Sequence, residues 1–211
     1  MSAGSYAVWM DPTIERFRAL ARSSPWRWST LRYVQERDPS GRDQNLVRVF
    51  IRRPRLARVE QLDTDSVMIG NYYDLAFLDP VELTDGGDDV PGATIEDLHV
   101  VDHRGRQAWE AVLRPTADYD PLCPCCSLLL SEQLEDAGLD LREDEPDFVY
   151  PDAHRVRIDV GTGVCVYNEQ LGGTRNGSGH DLAIEAVDEP MGDQLFPQHP
   201  PSHWARLLGR R

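Results

Sequence analysis

Short segments in which apolar and polar side chains alternate recur along most of this chain. The clearest covers residues 155–160, in which Val156, Ile158 and Val160 alternate with two arginines and an aspartate. Successive side chains of a strand point to opposite faces, so this pattern predicts a strand with one apolar and one charged face. A Gly-Thr-Gly turn at 161–163 and a second apolar run up to Gln170 follow, and together they predict a β-hairpin.

The same alternation, interrupted by Gly, Pro, Asp and Asn, predicts a mainly β protein with few helices. A length of 211 residues is within the range of one all-β domain, so we predict a single domain over 1–211. The predicted order is an N-terminal helix at 11–23, a strand meander at 26–78, a loop at 79–94, strands and a helix at 95–150, a C-terminal hairpin and strand at 153–188, and a tail at 189–211.

Two of these elements are predicted helices. Asp11 and Pro12 suit the N-cap and the first helical position, and Ile14, Phe17 and Leu20 then mark one apolar face. Residues 127–137 are predicted to form the second helix, because leucines supply its apolar content.

An antiparallel sheet with one apolar face twists and curls, and that face has to be covered. We therefore expect a curved sheet, or half β-barrel, with the few helices on its concave side. Two alternatives stay open: the helices fill the hollow, or they leave an apolar groove that suits an apolar ligand. The residues expected to line such a groove are Trp26, Trp28, Val49, Ile51, Trp109 and Ile158, although aromatic residues in strands also serve as plain core.

The charge of the chain narrows the choice of partners. Its 36 acidic and 22 basic residues give a formal net charge of −14. Such a chain repels nucleic acid and anionic membrane surfaces, so the expected partner is an apolar small molecule or a protein. No apolar run approaches the roughly 20 residues of a membrane span. The first residues show no secretory signal, so we expect a cytoplasmic protein.

The cysteines form the one unusual chemical cluster in the sequence. There are four of them: Cys123, Cys125, Cys126 and Cys165. Four thiolates can close a tetrahedral zinc site, with His154 or His180 as spare ligands, although the spacing differs from paired Cys-x-x-Cys knuckles. A reversible disulfide and simple buried thiols are the alternatives, so zinc is a candidate cofactor and no more.

No residue set in the sequence indicates catalysis, and we expect no enzymatic activity. Ser178, His180 and Asp181 are nearly adjacent, whereas catalytic triads assemble from separated segments, and a Gly-x-Ser-x-Gly elbow does not occur. Phosphate-loop and dinucleotide-binding motifs do not occur either.

Four short elements carry a family resemblance. They are a helix before an aromatic strand at 14–28, a strand-proline-strand unit at 47–60, the segment Gly-Arg-Gln-Ala-Trp-Glu-Ala-Val at 105–112, and the hairpin start Val-Arg-Ile-Asp-Val-Gly-Thr-Gly-Val at 156–164. Together they resemble the bacterial lipoprotein-carrier superfamily, which includes LolA-type carriers and RseB-type regulators, over most of residues 13–196. The resemblance implies a curved antiparallel sheet wrapped over helices, and binding of acyl chains or partner proteins. The cysteine cluster and the N-terminus without a signal peptide or lipidated cysteine depart from the family's pattern.

These observations predict a non-enzymatic binding protein. It would hold an apolar or lipid-like ligand, or an apolar segment of a partner, in the concave face of its sheet. The alternative is a regulatory or interaction protein in which the cysteine cluster forms a zinc or redox site.

Overall fold

A computed structural model describes residues 11–36, 46–64, 66–71, 80, 92–119, 127–135, 141–143 and 145–197. Within them the chain forms one α-helix, α1 (Ile14–Ser23), and nine strands. Short 3-10 turns lie at Ser24–Trp26, Glu132–Leu134 and Asp193–Leu195. The strands are β1 (Thr30–Glu36), β2 (Val47–Arg52), β3 (Leu56–Gln61), β4 (Val67–Asn71), β5 (Ala93–His103), β6 (Arg106–Pro115), β7 (Ala153–Asp159), β8 (Cys165–Leu171) and β9 (Gly179–Val187).

All nine strands belong to one antiparallel sheet, in the spatial order β4-β3-β2-β1-β9-β8-β7-β6-β5. Strands that follow one another in sequence are neighbours, except β4 and β5, which lie at opposite edges. The first and last strands, β1 and β9, pair at the centre, where Leu31 lies opposite Val187. In the described ranges β4 and β5 are the two edges, so the sheet is not closed into a barrel. This confirms the predicted mainly antiparallel β fold with few helices. No helix of the described ranges is long and apolar enough to cross a membrane.

The sheet is strongly curved, and His103 shows this directly. His103 ends β5, which lies four strand positions away from β9. Strands in a flat sheet lie about 4.8 Å apart, which would separate these two by about 19 Å. Instead, His103 Nε2 lies 2.8 Å from the carbonyl oxygen of Leu182 in β9, and the neighbouring Arg104 pairs with Asp181 at 2.8 Å.

Helix α1 covers one face of the second half of the sheet. Its Phe17, Leu20 and Ala21 are buried there against Trp109 and Ile158, which lie opposite each other on β6 and β7. This cluster is the α1-side core. Its other buried members are Ala93, Ala111, Leu113, Tyr119, Leu128, Leu129, Leu134, Val156 and Cys165.

A second cluster, the β1-side core, lies around the first two strands and β9. Leu31 and Tyr33 are fully buried in β1, and Val49 and Ile51 lie opposite them in β2. Its other buried members are Trp28, Val47, Ala108, Val164, Val166 and Leu182. Alternating burial along β2 is what the sequence pattern predicts for a strand with one covered face.

Charged side chains on the strands form ion pairs across the sheet. Arg157 of β7, predicted on the charged face, donates from Nε to Glu110 of β6 at 2.6 Å. Glu185 of β9 accepts from both Arg32 and Arg48, at 3.1 and 3.0 Å. Such cross-strand pairs contribute roughly 0.2–1 kcal/mol each and favour the observed register.

The predicted helix at 127–137 is wrong in the described residues, where only Glu132–Leu134 forms a 3-10 turn. Backbone polar groups of Leu128 and Leu129 form hydrogen bonds with side chains from other parts of the chain. Leu129 N donates to the Tyr119 hydroxyl at 3.1 Å, and the Asn168 amide donates to the Leu128 carbonyl. These contacts replace the hydrogen bonds along a helix, and they bury both leucines in the α1-side core.

Several element boundaries also differ from the prediction. The N-cap of α1 is Thr13, whose hydroxyl accepts from Arg16 N, and not Asp11. Trp26 belongs to a 3-10 turn and not to the first strand of the meander. Residues 179–181 open β9 and pair with β8. The end of the predicted meander at 72–78, most of the predicted loop at 79–94 and the tail beyond residue 197 lie outside the described residues.

The predicted hairpin of β7 and β8 is confirmed, and its turn packs closely against α1. Gly163 adopts φ +74°, a conformation that favours glycine. A Cβ atom at this position would lie 2.8 Å from the backbone oxygen of Leu20, inside contact distance. Gly105, in the turn between β5 and β6, has a similar φ of +81° but nothing within 4 Å of a Cβ atom.

These two glycines allow the contact between the turn and the helix to be measured. Gly105→Ala is expected to lower the free energy of unfolding by about 1–2 kcal/mol, the cost of a left-handed alanine. Gly163→Ala is expected to cost a further ~1–3 kcal/mol, because the methyl group forces the turn away from α1. Urea denaturation of both variants checks this, and equal losses would show that the turn and α1 are not tightly packed.

Candidate functional site

A groove of about 350 Å³ lies between α1 and the end of the sheet at which β6 starts and β7 finishes. Its apolar surface comes from Leu20 and Ala19 of the helix, and from Trp109 and Val160 of the sheet side. Four polar residues complete the lining: Arg16, Ser23, Arg27 and Gln107.

The helical wall of the groove is a single stripe of α1. Arg16, Ala19, Leu20 and Ser23 are spaced i, i+3, i+4 and i+7, so they share one face. Leu20 is buried at the edge of the core, whereas Ala19 and Arg16 are exposed. The groove is therefore the open margin of the same face that packs against the sheet.

The sheet wall follows from strand alternation. Gln107 and Trp109 lie on the same face of β6, and Val160 directly follows β7. Trp109 is only 4% exposed, and its indole Nε1 has no hydrogen-bond partner among the described residues. A buried donor without an acceptor is rare in folded proteins and costs roughly 1–3 kcal/mol.

Arg27 closes one end of the groove and is held in place by three hydrogen bonds. Its Nε donates to the carbonyl of Gly161 at 3.2 Å, and its Nη2 to the carbonyl of Val160 at 3.1 Å. Its Nη1 donates to the hydroxyl of Ser23 at 3.3 Å. A guanidinium group has five N–H donors, so two remain for a ligand.

The turn that accepts from Arg27 is built around a buried carboxylate. Asp159 is 1% exposed and accepts from both the backbone and the hydroxyl of Thr162, each at 2.7 Å. Arg106 forks onto the same carboxylate, with bonds of 2.7 and 3.0 Å, and this contact raises the pKa of Arg106. The turn is therefore rigid, and it presents its carbonyl groups to Arg27 in a set position.

Of the six residues predicted to line an apolar groove, Trp109 lies in the wall of the observed one. The others are divided among different environments. Trp28, Val49 and Ile51 belong to the β1-side core, Ile158 belongs to the α1-side core, and Trp26 is 79% exposed. The buried residues of this set are packed against neighbouring side chains of the two cores.

The predicted groove residues included only Trp109 of the observed lining, and they included neither of its charged residues, Arg16 and Arg27. The helical stripe that contains Arg16 was visible in the sequence, but its partner surface was not. Arg27 gives no local signal, because its carbonyl partners Val160 and Gly161 are more than 130 residues away in the chain.

The cysteine cluster cannot be placed, because Cys123, Cys125 and Cys126 lie outside the described residues. Cys165 is fully buried in the α1-side core. In the part of the chain that the structure describes, no three His, Cys, Asp or Glu side chains are grouped to hold a metal ion. Both ring nitrogens of His154, a proposed spare zinc ligand, contact protein oxygens, those of Asn168 and Leu130.

Two further histidines occupy the place where β8 and β9 separate. The ladder between these strands ends at Tyr167 and Asp181. Beyond the end of this ladder, Nε2 of His103 contacts the carbonyl oxygen of Leu182, and Nε2 of His180 contacts the carbonyl oxygen of Cys165 at 3.2 Å. The rings thus bond carbonyl groups near the end of the ladder, and neither arrangement indicates a metal or catalytic site.

Burial controls the protonation of these histidines. Burial lowers the pKa of His180 to about 4, against the opposing effect of its bond to the Cys165 carbonyl. Burial also lowers the pKa values of His103 and His154. At His103 the Nδ1 atom faces the Arg157 guanidinium at 3.3 Å, a contact that only the neutral ring can accept.

Comparison with solved structures shows a distant likeness of fold. The chain matches no protein-family model, and no curated protein matches it. Among solved structures it is similar to one titled "Crystal structure of MucB", with a TM-score of 0.46 and 14% identity over 86% of this chain and 61% of that chain. The chain thus spans about three-fifths of that structure's length. A likeness at this level carries no information on ligand or partner, and membership of the lipoprotein-carrier superfamily stays a prediction.

The lowered pKa of His180 predicts an acid-dependent loss of stability. The unfolded chain takes up this proton near pH 6.5 and the folded chain only near pH 4, so the stabilisation present above pH 6.5 is lost as the pH falls towards 4. Between pH 7 and pH 5 this residue alone should cost about 2 kcal/mol.

Urea denaturation at both pH values measures this loss in the parent chain and in His180→Gln. The variant should lose about 2 kcal/mol less on acidification. An unchanged pH dependence in His180→Gln would contradict the assignment of His180 as neutral in the folded state at pH 5.

Proposed function

We propose that this chain is a non-enzymatic binding protein and that it takes an apolar segment of a ligand or partner into the groove beside α1. The observation that carries the proposal is the groove itself, whose walls of Leu20, Ala19, Trp109 and Val160 extend the apolar core to the surface. Its volume of about 350 Å³ is at the lower end of the range typical of ligand sites.

The size and position of the groove favour a short apolar segment. The large apolar residues of the sheet interior are closely packed within their two cores. Ile51 in the β1-side core and Ile158 in the α1-side core are both at 0% exposure. An occupant of the groove therefore contacts the margin of the core that the described residues form. One side of the groove is helix and the other is sheet, so both walls are regular and largely pre-formed.

The polar residues of the lining, Arg16, Ser23, Arg27 and Gln107, give the site a second property. Apolar walls with a few convergent polar groups are the usual composition of a specific binding site.

Filling the groove tests the proposal. Ala19 is exposed on α1 and lines the groove, so Ala19→Trp places a large side chain there without altering the core. The variant is expected to bind the neutral apolar dye Nile red about tenfold more weakly than the parent, as measured by fluorescence titration.

The matched control is Ile14→Trp, which adds similar bulk to an exposed position of α1 outside the groove. It should bind the dye as the parent does. Equal affinity of the parent and Ala19→Trp, or equal losses in the two variants, would overturn the groove as the binding site.

A further inference from the structure

We infer that the occupant of this groove is an acidic amphipathic peptide segment of a partner protein, an inference that rests on the function proposed above. The segment would insert an apolar side chain between α1 and the sheet, and it would place carboxylates against Arg16 and Arg27. Three observations identify this chemistry.

The first observation is the sign of the charge at the groove. The chain as a whole has a net charge of −14, yet both charged residues that line the groove are arginines. Helix α1 adds to this local excess, since it contains Arg16, Arg18 and Arg22 against one acid, Glu15.

The second observation is that the groove arginines have no carboxylate partner among the described residues. Elsewhere in the sheet, arginines such as Arg48, Arg106 and Arg157 are each paired with an acid. Arg16 donates only to the backbone oxygen of Asp11, at 3.0 Å, and Arg27 only to two carbonyls and a hydroxyl. In a chain with excess acid, two cations without acids form a site that is complementary to an anionic partner.

The third observation is an exposed tryptophan next to Arg27 in the chain. Trp26 immediately precedes Arg27 and is 79% exposed, the highest value among the large apolar side chains of the described residues. Exposed tryptophan and arginine together are typical of the centres of protein interfaces. A partner that covers both Trp26 and the groove would also contact Arg27, which follows Trp26 in the chain and lines the groove.

The acidity of the chain argues against the polyanions that also seek arginine. Nucleic acids and anionic membranes present dense negative charge, which a net charge of −14 repels over a distance of about a Debye length. A peptide with a few carboxylates around one apolar anchor experiences mainly the local field. The same argument favours a peptide over a second copy of this chain, whose net charge is equally negative.

The test compares two short peptides by isothermal titration calorimetry against the full chain. Both have a central Leu-Phe pair, flanked by glutamates in one and by lysines in the other. The glutamate peptide is expected to bind at least about tenfold more tightly, and its affinity should fall as ionic strength rises.

Two charge-reversal variants locate the effect. Arg16→Glu and Arg22→Glu change the net charge equally, and both positions are exposed on α1, but only Arg16 lines the groove. Arg16→Glu should weaken the glutamate peptide at least about tenfold, whereas Arg22→Glu should change its affinity by less than about threefold.

The outcomes separate this inference from the proposed function. If the lysine peptide or sodium decanoate binds as tightly as the glutamate peptide, or if the two reversals act equally, the acidic-peptide assignment is wrong. The apolar groove still stands in that case, provided that Ala19→Trp weakens Nile red. Arg22→Glu, which lies outside the groove, should leave Nile red binding unchanged, and urea denaturation of Arg16→Glu verifies that this variant is folded.

Discussion

The pairing of β1 with β9 is the contact on which the rest of the structure depends. It joins the two halves of the chain into one sheet, and it fixes where the segment before β1 runs. Ser29 N donates to the Asp188 carboxylate at 2.7 Å, and the Thr30 hydroxyl donates to the Glu189 carbonyl at 2.7 Å. Because the chain is anchored there, α1 is directed back over β6 and β7, where its apolar face is buried.

This placement produces the groove as a consequence of packing. Phe17 and Ala21 occupy the part of α1 that faces the sheet squarely, and they are fully buried. The neighbouring stripe from Arg16 to Ser23 lies at the margin of this contact, where the surface of the helix curves away from the strands. The Gly163 turn and the Arg27 hydrogen bonds hold the margin in place, so the gap between the two walls has a defined width.

Polar contacts in this protein fall into two groups with different roles. The cross-strand pairs and the Asp159 cluster satisfy their charges internally, so they stabilise the register and the turns. The groove arginines are positioned by backbone carbonyls instead, so their charge stays available. An arginine that is held without being neutralised is suited to recognition, because less conformational entropy is lost when an anion binds.

The buried histidines show how far the curvature of the sheet affects local chemistry. His103 reaches β9 only because the β5–β6 hairpin curls over the intervening strands. In the neutral ring, Nδ1 accepts a hydrogen bond from Arg157 and Nε2 contacts the Leu182 carbonyl, near the point where β8 and β9 separate. Both ring nitrogens therefore have a partner. Nothing in the order of residues indicates that these groups meet.

Local pattern alone determined the strand content, the β7–β8 and β5–β6 hairpins and the N-terminal helix, because period-two alternation, glycine turns and helix caps act over a few residues. Only the tertiary structure decided the β1–β9 pairing, the unwinding of residues 127–131 and the composition of the groove. Leu128 is part of a helical sequence pattern but is not helical in the structure, because Asn168, forty residues later, donates to its carbonyl. Arg27 lines the groove because Gly161, a distant turn residue, accepts from it. Contacts of this kind depend on how elements meet in space, which a single sequence does not specify, since each element satisfies its own local preferences in many arrangements.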